Sequence, residues 1–260
     1  MRVRFDISYD GTDFSGWAVQ PGRRTVQGEL QGALATVLRR PFVTLTVAGR
    51  TDAGVHASGQ VAHADLPPGS LAGLPAHLSG VLPPDVRVPA IGEVPADFDA
   101  RFSALWRRYE YRISDDPSGA SPLHRRFVLD HRRPLDARVM ADAASGLVGL
   151  HEFAAFCKRR ASGSTIRTLE QFEVRRVGPE IVCTIQADAF CRSMVRSLVG
   201  ALIAVGQGHR PPDWPAGLLA RDTRVGDVSV APARGLTLTE VGYPPDDKLA
   251  ARATVTRVRR

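Results

Sequence analysis

Residues 2 to 9 alternate without a break, with Val3, Phe5, Ile7 and Tyr9 on one side and Arg2, Arg4, Asp6 and Ser8 on the other. That order commits the segment to a half-buried strand, because successive side chains of an extended chain point to opposite faces. The next ordered segment has the other period. Thr25 reads as an N-cap, and Val26, Leu30, Ala33, Leu34, Val37 and Leu38 form the inner stripe of a helix running through Arg40. Arg39 and Arg40 suit the negative end of the helix dipole, and Pro41 stops the helix. A strand over 43–48, a polar loop, a strand over 59–65, a helix over 75–82 and a strand over 86–94 come next.

The first half therefore reads β-α-β-β-α-β, the ferredoxin-like or split arrangement also used by RNA-recognition modules. A second, more elaborate round begins with an alternating strand over 105–114. Arg107, Tyr109, Tyr111 and Ile113 share one of its faces, and Arg108, Glu110 and Arg112 the other. A helix over 136–147, strands over 165–177 and 180–187 joined at Gly178-Pro179, a helix over 191–205 and a last strand with Leu236, Leu238 and Val241 complete it. The expected fold is α+β, with halves at 1–100 and 101–245. The low apolar content after Pro244, ending Arg257-Val258-Arg259-Arg260, marks 246–260 as a basic, mobile tail.

The net charge is +7, and apart from Lys158 and Lys248 the cations are arginines. Codon usage in a G- and C-rich genome favours arginine whatever the function. Yet the arginines come in pairs: 23-24, 39-40, 107-108, 125-126, 132-133, 159-160 and 175-176. One pair is a solvated edge; several on one face make a surface for a polyanion, since guanidinium forks match phosphate oxygens. Cys157, Cys183 and Cys191 are odd in number and match no metal spacing, which suits buried thiols in a reducing compartment. No apolar run approaches the ~20 residues that span a bilayer. The N-terminus opens as a strand rather than as a secretory leader, so the expected location is the cytoplasm. No carboxylate cluster has the spacing of a metal-dependent nuclease or phosphatase.

The richest chemistry lies in Gly49-Arg50-Thr51-Asp52-Ala53-Gly54-Val55-His56-Ala57, a loop leaving a strand. Taken alone it is a polar turn in which Asp52 caps its own backbone. Six other segments change its weight: Tyr9-Asp10-Gly11-Thr12 with Gly16-Trp17, Thr25 to Leu30, Arg107-Arg108-Tyr109-Glu110-Tyr111, Gly149 to Phe153, Phe190 to Arg196, and Gly235-Leu236-Thr237-Leu238. In this order, over nearly the whole chain, they resemble the bacterial tRNA pseudouridine synthases of the TruA family. Ala18, Val19 and the Cys191-Arg192 pair depart from the family pattern.

The resemblance implies a pseudouridine synthase fold in which mixed sheets flank a basic active-site cleft. It implies a cofactor-independent, metal-free isomerase acting on tRNA at uridines 38–40 of the anticodon stem-loop, in a homodimer with no membrane association. The reaction joins the sugar to carbon five of the base instead of nitrogen one. By resemblance Asp52 is the carboxylate at the sugar, as nucleophile or as proton acceptor. Arg196 is the arginine that pairs with it, since an aspartate partly buried beneath a base needs a cation to stay ionised. Arg192 and Arg196 lie one helical turn apart on the expected helix and can face one region. Tyr109 is the tyrosine that stacks on the target base and handles the proton at carbon five, with Tyr111 left to the core. Arg50 holds the space that the flipped nucleotide vacates. His56 reads as a structural hydrogen-bonding group. Two alternatives stand beside this reading: a synthase with another RNA target, and a non-catalytic RNA-binding or chaperone module.

Overall fold

The computed structural model describes residues 1–158 and 164–258. The Arg159-Arg160 and Arg259-Arg260 pairs lie outside the described residues. The chain divides into two units, Met1–Leu105 with Leu238–Arg260, and Trp106–Thr237.

In the first unit, β1 (Arg2–Tyr9) buries every second residue as its alternation requires. It pairs antiparallel with β3 (His56–Asp65) on one side and β4 (Val86–Val94) on the other. The short strand β2 (Thr46–Val47) pairs antiparallel with β3 through Thr46 and His63. Helix α1 (Val26–Leu38) starts where Thr25 Oγ1 accepts the Gly28 N–H, and it buries Val26, Leu30, Ala33 and Leu34. It stops two residues before the expected Arg40, because Arg39 turns left-handed at φ 50° and sends its N–H back to Ala35 and Thr36. Helix α2 (Leu74–Val81) buries Leu74 and Leu78 and contacts both α1 and β4. The strand expected over 43–48 shrinks to two residues; Val43 and Leu45 are buried outside the ladder.

The second unit opens with β5 (Trp106–Ser114), in which Arg107, Tyr109, Tyr111 and Ile113 are all buried. It pairs antiparallel with β9 (Glu180–Ala187) and parallel with the two-residue strand β6 (Leu129–Asp130). β8 (Ile166–Val177) pairs with β9 as a hairpin and with β7 (Gly149–Glu152), giving the order β5-β9-β8-β7. Helix α3 (Ala137–Ser145) is capped by Asp136, whose Oδ1 accepts the N–H groups of Arg138 and Val139. It packs against β8 and against α4 (Met194–Gly206), which is buried on most sides. A one-turn helix, α5 (Trp214–Gly217), also contacts α4.

The last strand, β10 (Leu236–Gly242), runs beside β3 through its first-unit residues. Beyond it, the expected mobile tail is instead ordered and docked. Residues Leu249–Val258 form helix α6, with Leu249, Ala253 and Thr256 buried. Arg257 Nη2 donates to Asp99 Oδ2 at 3.0 Å, and Arg252 donates to the carbonyls of Ala104 and Leu105. Three inward positions at helical spacing suffice to dock a helix whose composition is polar. The first boundary falls at Leu105 rather than near residue 100, and the last strand and tail return to the first unit. Among the described residues no helix is long and apolar enough to cross a membrane.

Candidate active site

Each group in the Gly49–Ala57 loop has a specific support from the first unit. Gln60, fully buried on β3, donates from Nε2 to the Gly49 carbonyl at 2.8 Å. The Thr51 hydroxyl shares a 2.8 Å hydrogen bond with the buried Tyr9 hydroxyl, and the Thr51 carbonyl accepts the Trp17 N–H at 3.1 Å. The Val55 N–H closes a turn onto the Asp52 carbonyl at 3.2 Å. Gly54, the third residue of that turn, sits at φ 77°, where a side chain would be strained. The Gly54 N–H then reaches the Phe14 carbonyl. His56 belongs to β3 rather than to the loop; its ring is buried, Nδ1 accepts the Gly11 N–H at 3.0 Å, and Asp10 Oδ1 stands 3.2 Å from the same nitrogen. The outcome is an alternation within the loop: Thr51 faces inward, Asp52 is half-buried, and Arg50 is exposed.

The second unit carries Tyr109, Arg192 and Arg196. Tyr109 lies on β5, 8% exposed, with Phe190 meeting its ring edge-on at 5.2 Å. Tyr111, two residues on, is a core residue: it is fully buried, its hydroxyl donates to the Pro232 carbonyl at 2.8 Å, and burial pushes its pKa up. Arg196, in the first turn of α4, donates from Nε to the Ala231 carbonyl at 2.7 Å, and the Ala231 N–H returns to the Arg196 carbonyl at 3.0 Å. A strap over 229–231 thus holds the arginine from both ends. The strap lies so close to α4 that a Cβ at Gly200 would collide with the Ser229 carbonyl.

Arg192 is not on α4. The helix begins at Met194, and Ser193 before it is left-handed at φ 65°, so the helical spacing expected between Arg192 and Arg196 does not exist. Arg192 is exposed, and its carbonyl accepts the Lys158 N–H at 2.9 Å. The same segment corrects the cysteine reading: Cys157 and Cys191 form a disulfide, with Cα atoms 5.7 Å apart. Cys183 alone is a free, buried thiol among the described residues, and burial raises its pKa to about 12.

The arginine pairs also divide. Arg24 makes a bidentate pair with Asp85 at 2.7 and 2.9 Å and reaches Glu29 besides. Arg176 makes another with Asp115, at 2.9 and 2.8 Å. Arg132 is held by Asp130. Arg107 is 4% exposed and donates to the Asp188 carbonyl, bracing the turn that leads to Phe190. These four are structural; sequence spacing could not reveal it for Arg24, Arg176 and Arg107, whose partners are remote in the chain or on the backbone, whereas the partner of Arg132 lies two residues away. Arg23, Arg39, Arg40, Arg125 and Arg133 remain exposed. Tyr9, Gln60 and Phe190 escape selection as site residues from the sequence; the alternation of β1 already turns Tyr9 inward, but Gln60 carries no signal of its own.

A surface groove of about 350 Å³, lined by Arg40, Phe42, Thr46, His63 and Asp65 among others, includes one of the paired arginines but none of Arg50, Asp52, Tyr109, Arg192 and Arg196. Among the described residues no group of three or more histidine, cysteine, aspartate or glutamate side chains is placed to hold a metal ion.

The chain matches the family model described as tRNA pseudouridine synthase over residues 7–103 and 143–244. A protein of Frankia casuarinae named tRNA pseudouridine synthase A is 59% identical over 259 residues, 99% of this chain and 94% of the relative. Proteins of the same name are 56% identical in Streptomyces avermitilis, over 100% of this chain and 94% of the relative, and 50% identical in Mycobacterium leprae, over 99% and 94%. With matches of this extent on both sides of the alignment, the chain belongs to the tRNA pseudouridine synthase family and is an isomerase that converts uridine to pseudouridine.

Proposed function

We propose that this enzyme modifies uridines 38–40 in the anticodon stem-loop of tRNA and that Asp52 is its catalytic carboxylate. The observation that carries the second part is the loop itself: four hydrogen bonds to its frame and a glycine at φ 77° leave Asp52 and Arg50 as the outward groups on either side of a buried Thr51. Asp52 then acts at the ribose while the bond from C1′ to N1 breaks. The base turns, C1′ bonds to C5, and the C5 proton leaves for solvent as N1 gains one. The carboxylate serves either by adding to the sugar or by taking a proton from it.

Tyr109 supplies the stacking face and handles the C5 proton. Stacking of this kind contributes ~1–3 kcal/mol per base, comparable with the cost of drawing a nucleotide from its stack. Arg196 is assigned to keep the carboxylate ionised, Arg50 to fill the vacated position, and Arg192 to the RNA backbone. The exposed arginines supply phosphate contacts, so affinity should fall steeply with salt. By family resemblance the working form is a cytoplasmic homodimer; light scattering that finds a monomer at assay concentration would remove that part.

The test is tritium release from tRNA labelled at C5 of its uridines. Wild type should release it, with release confined to transcripts carrying uridine at 38, 39 or 40. Asp52→Asn should release none while binding the same tRNA within about threefold. Equal loss of binding and rate would make Asp52 structural.

A further inference from the structure

The groups that hold Thr51 are buried, polar and unused by the reaction as assigned. Gln60 Nε2 donates one hydrogen to the Gly49 carbonyl at 2.8 Å and the other toward the Tyr9 hydroxyl at 3.4 Å, and Gln60 Oε1 accepts the Val61 N–H at 3.1 Å. An amide nitrogen can only donate, so the Tyr9 oxygen accepts there, and it shares a second bond with Thr51 Oγ1 at 2.8 Å in which either hydroxyl can donate. The bonds thus form one continuous chain, Gln60 to Tyr9 to Thr51. It starts on β3, crosses the neighbouring strand β1, and ends between Arg50 and Asp52. Each member is buried: Gln60 at 0%, Tyr9 at 5% and Thr51 at 7% exposure.

Packing alone does not explain this arrangement. A phenylalanine would fill the site of Tyr9 beside Trp17, whose ring centre lies 6.1 Å away, and a valine would fill that of Thr51. The polar atoms add direction: a bond of fixed geometry to the one side chain that separates the two outward groups. Loop residues on either side of an anchored neighbour share its backbone, so a shift of Thr51 carries both of them with it. Burial raises the Tyr9 pKa to about 12, so the hydroxyl stays neutral throughout the pH range in which the enzyme is assayed.

We propose that the Gln60–Tyr9–Thr51 hydrogen-bond chain is a positioning device for the isomerisation: it fixes Thr51 inward and thereby sets the reach of Asp52 toward the sugar and of Arg50 toward the RNA. Tyr9, Thr51 and Gln60 are positioning residues, not catalytic ones. The proposal rests on the assignment of Asp52 as the catalytic carboxylate.

The experiment compares wild type with Tyr9→Phe, Thr51→Val, the double variant, Thr51→Ser and Asp52→Asn, each as the full chain with tRNA. Single-turnover rate, tRNA affinity and melting temperature are read together. Tyr9→Phe and Thr51→Val should each melt within a few degrees of wild type and bind tRNA within about twofold, yet turn over ~10–100-fold more slowly, the loss expected when reacting groups are misplaced by up to an ångström. The double variant should be no slower than the slower single one, because both break the same bond. Thr51→Ser, which restores the hydroxyl, should recover most of the rate lost in Thr51→Val. A Tyr9→Phe rate equal to wild type overturns the proposal, as do losses that multiply in the double variant or a rate loss matched by an equal loss of affinity. Asp52→Asn separates the two readings. If it is inactive while Tyr9→Phe is fully active, only the positioning device fails; if it is active, the carboxylate assignment beneath it fails.

Discussion

Gly11 is the point at which the turn after β1 touches the backbone of the Gly49–Ala57 loop, and Gly11→Ala tests whether the two move as one. The residue is buried, its N–H donates to His56 Nδ1 at 3.0 Å, and its carbonyl accepts the Phe14 N–H at 3.1 Å. A Cβ placed there would fall on the Val55 carbonyl oxygen, 2.5 Å from the carbonyl carbon and 3.2 Å from His56 N. Both neighbours are main chain, so no rotamer change relieves the overlap. Bringing two carbons from 2.5 Å to van der Waals contact requires a displacement of about 1 Å. Overpacking of this kind costs about 1–3 kcal/mol, and a lost bond to His56 adds roughly 1 kcal/mol. For a chain of this size a loss of about 2–4 kcal/mol lowers Tm by about 4–8 °C. Moving Val55 also moves the turn that its N–H closes on Asp52, and a shift of that size costs on the order of 100-fold in rate. Thermal melts and single-turnover tritium release on the same preparation read both effects. Gly49→Ala is the control for stability: its Cβ meets nothing within 4 Å, so Tm should stay within about 2 °C of wild type. A Gly11→Ala protein that melts like wild type would refute the steric argument. One that melts early but reacts at the wild-type rate would refute the coupling of turn and loop.

The second unit supports two more tests. The fork from Arg176 holds the Asp115 carboxyl below its ordinary range, more than burial lifts it, and Asp115 Oδ2 also accepts the Leu135 N–H. A carboxylate depressed by folding stabilises above its unfolded pKa, near 4, and loses that contribution as pH falls through its lower folded value. Asp115→Asn should therefore lower Tm by a constant amount between about pH 6 and 8, with the gap closing below about pH 4; a gap that widens on acidification would contradict this. The Cys157–Cys191 disulfide and the buried Cys183 predict a definite thiol count. Native protein kept free of reductant should react with no thiol reagent, denaturation should release one thiol, and reduction should bring the count to all three. Three thiols on denaturation without reductant would remove the disulfide.

Regular elements with a local period are legible in the sequence, and those made by distant partners are not. The alternation of Arg2–Tyr9 and of the β5 residues, the Thr25 cap of α1 and the span of β9 all depend on neighbours within a few positions, which is the range over which a sequence pattern speaks. β7 and β6 escape it because strands of four and two residues carry too few side chains to show a period. The expected start of α4 is early because Phe190 to Ser193 contains no glycine or proline to break a helix; the left-handed Ser193 is what excludes it. Arg24 and Arg176 look like candidates for phosphate until folding sets each against a carboxylate 61 residues away. The α6 helix is hidden for a related reason: Leu249, Ala253 and Thr256 form a stripe that acquires meaning only against the surface that receives it.

Residue identity and order alone determined that this chain carries the motifs of a uridine isomerase, since Arg50, Asp52, Tyr109 and Arg196 are recognisable by their flanking residues without coordinates. Tertiary structure decided which way those residues face and what holds them there. Gln60 bonds Gly49 from β3, Tyr9 bonds Thr51 from β1, and Ala231 straps Arg196 from a loop 35 residues on. The physical reason is that a hydrogen bond costs or contributes according to burial and geometry, and neither exists until the strands have paired.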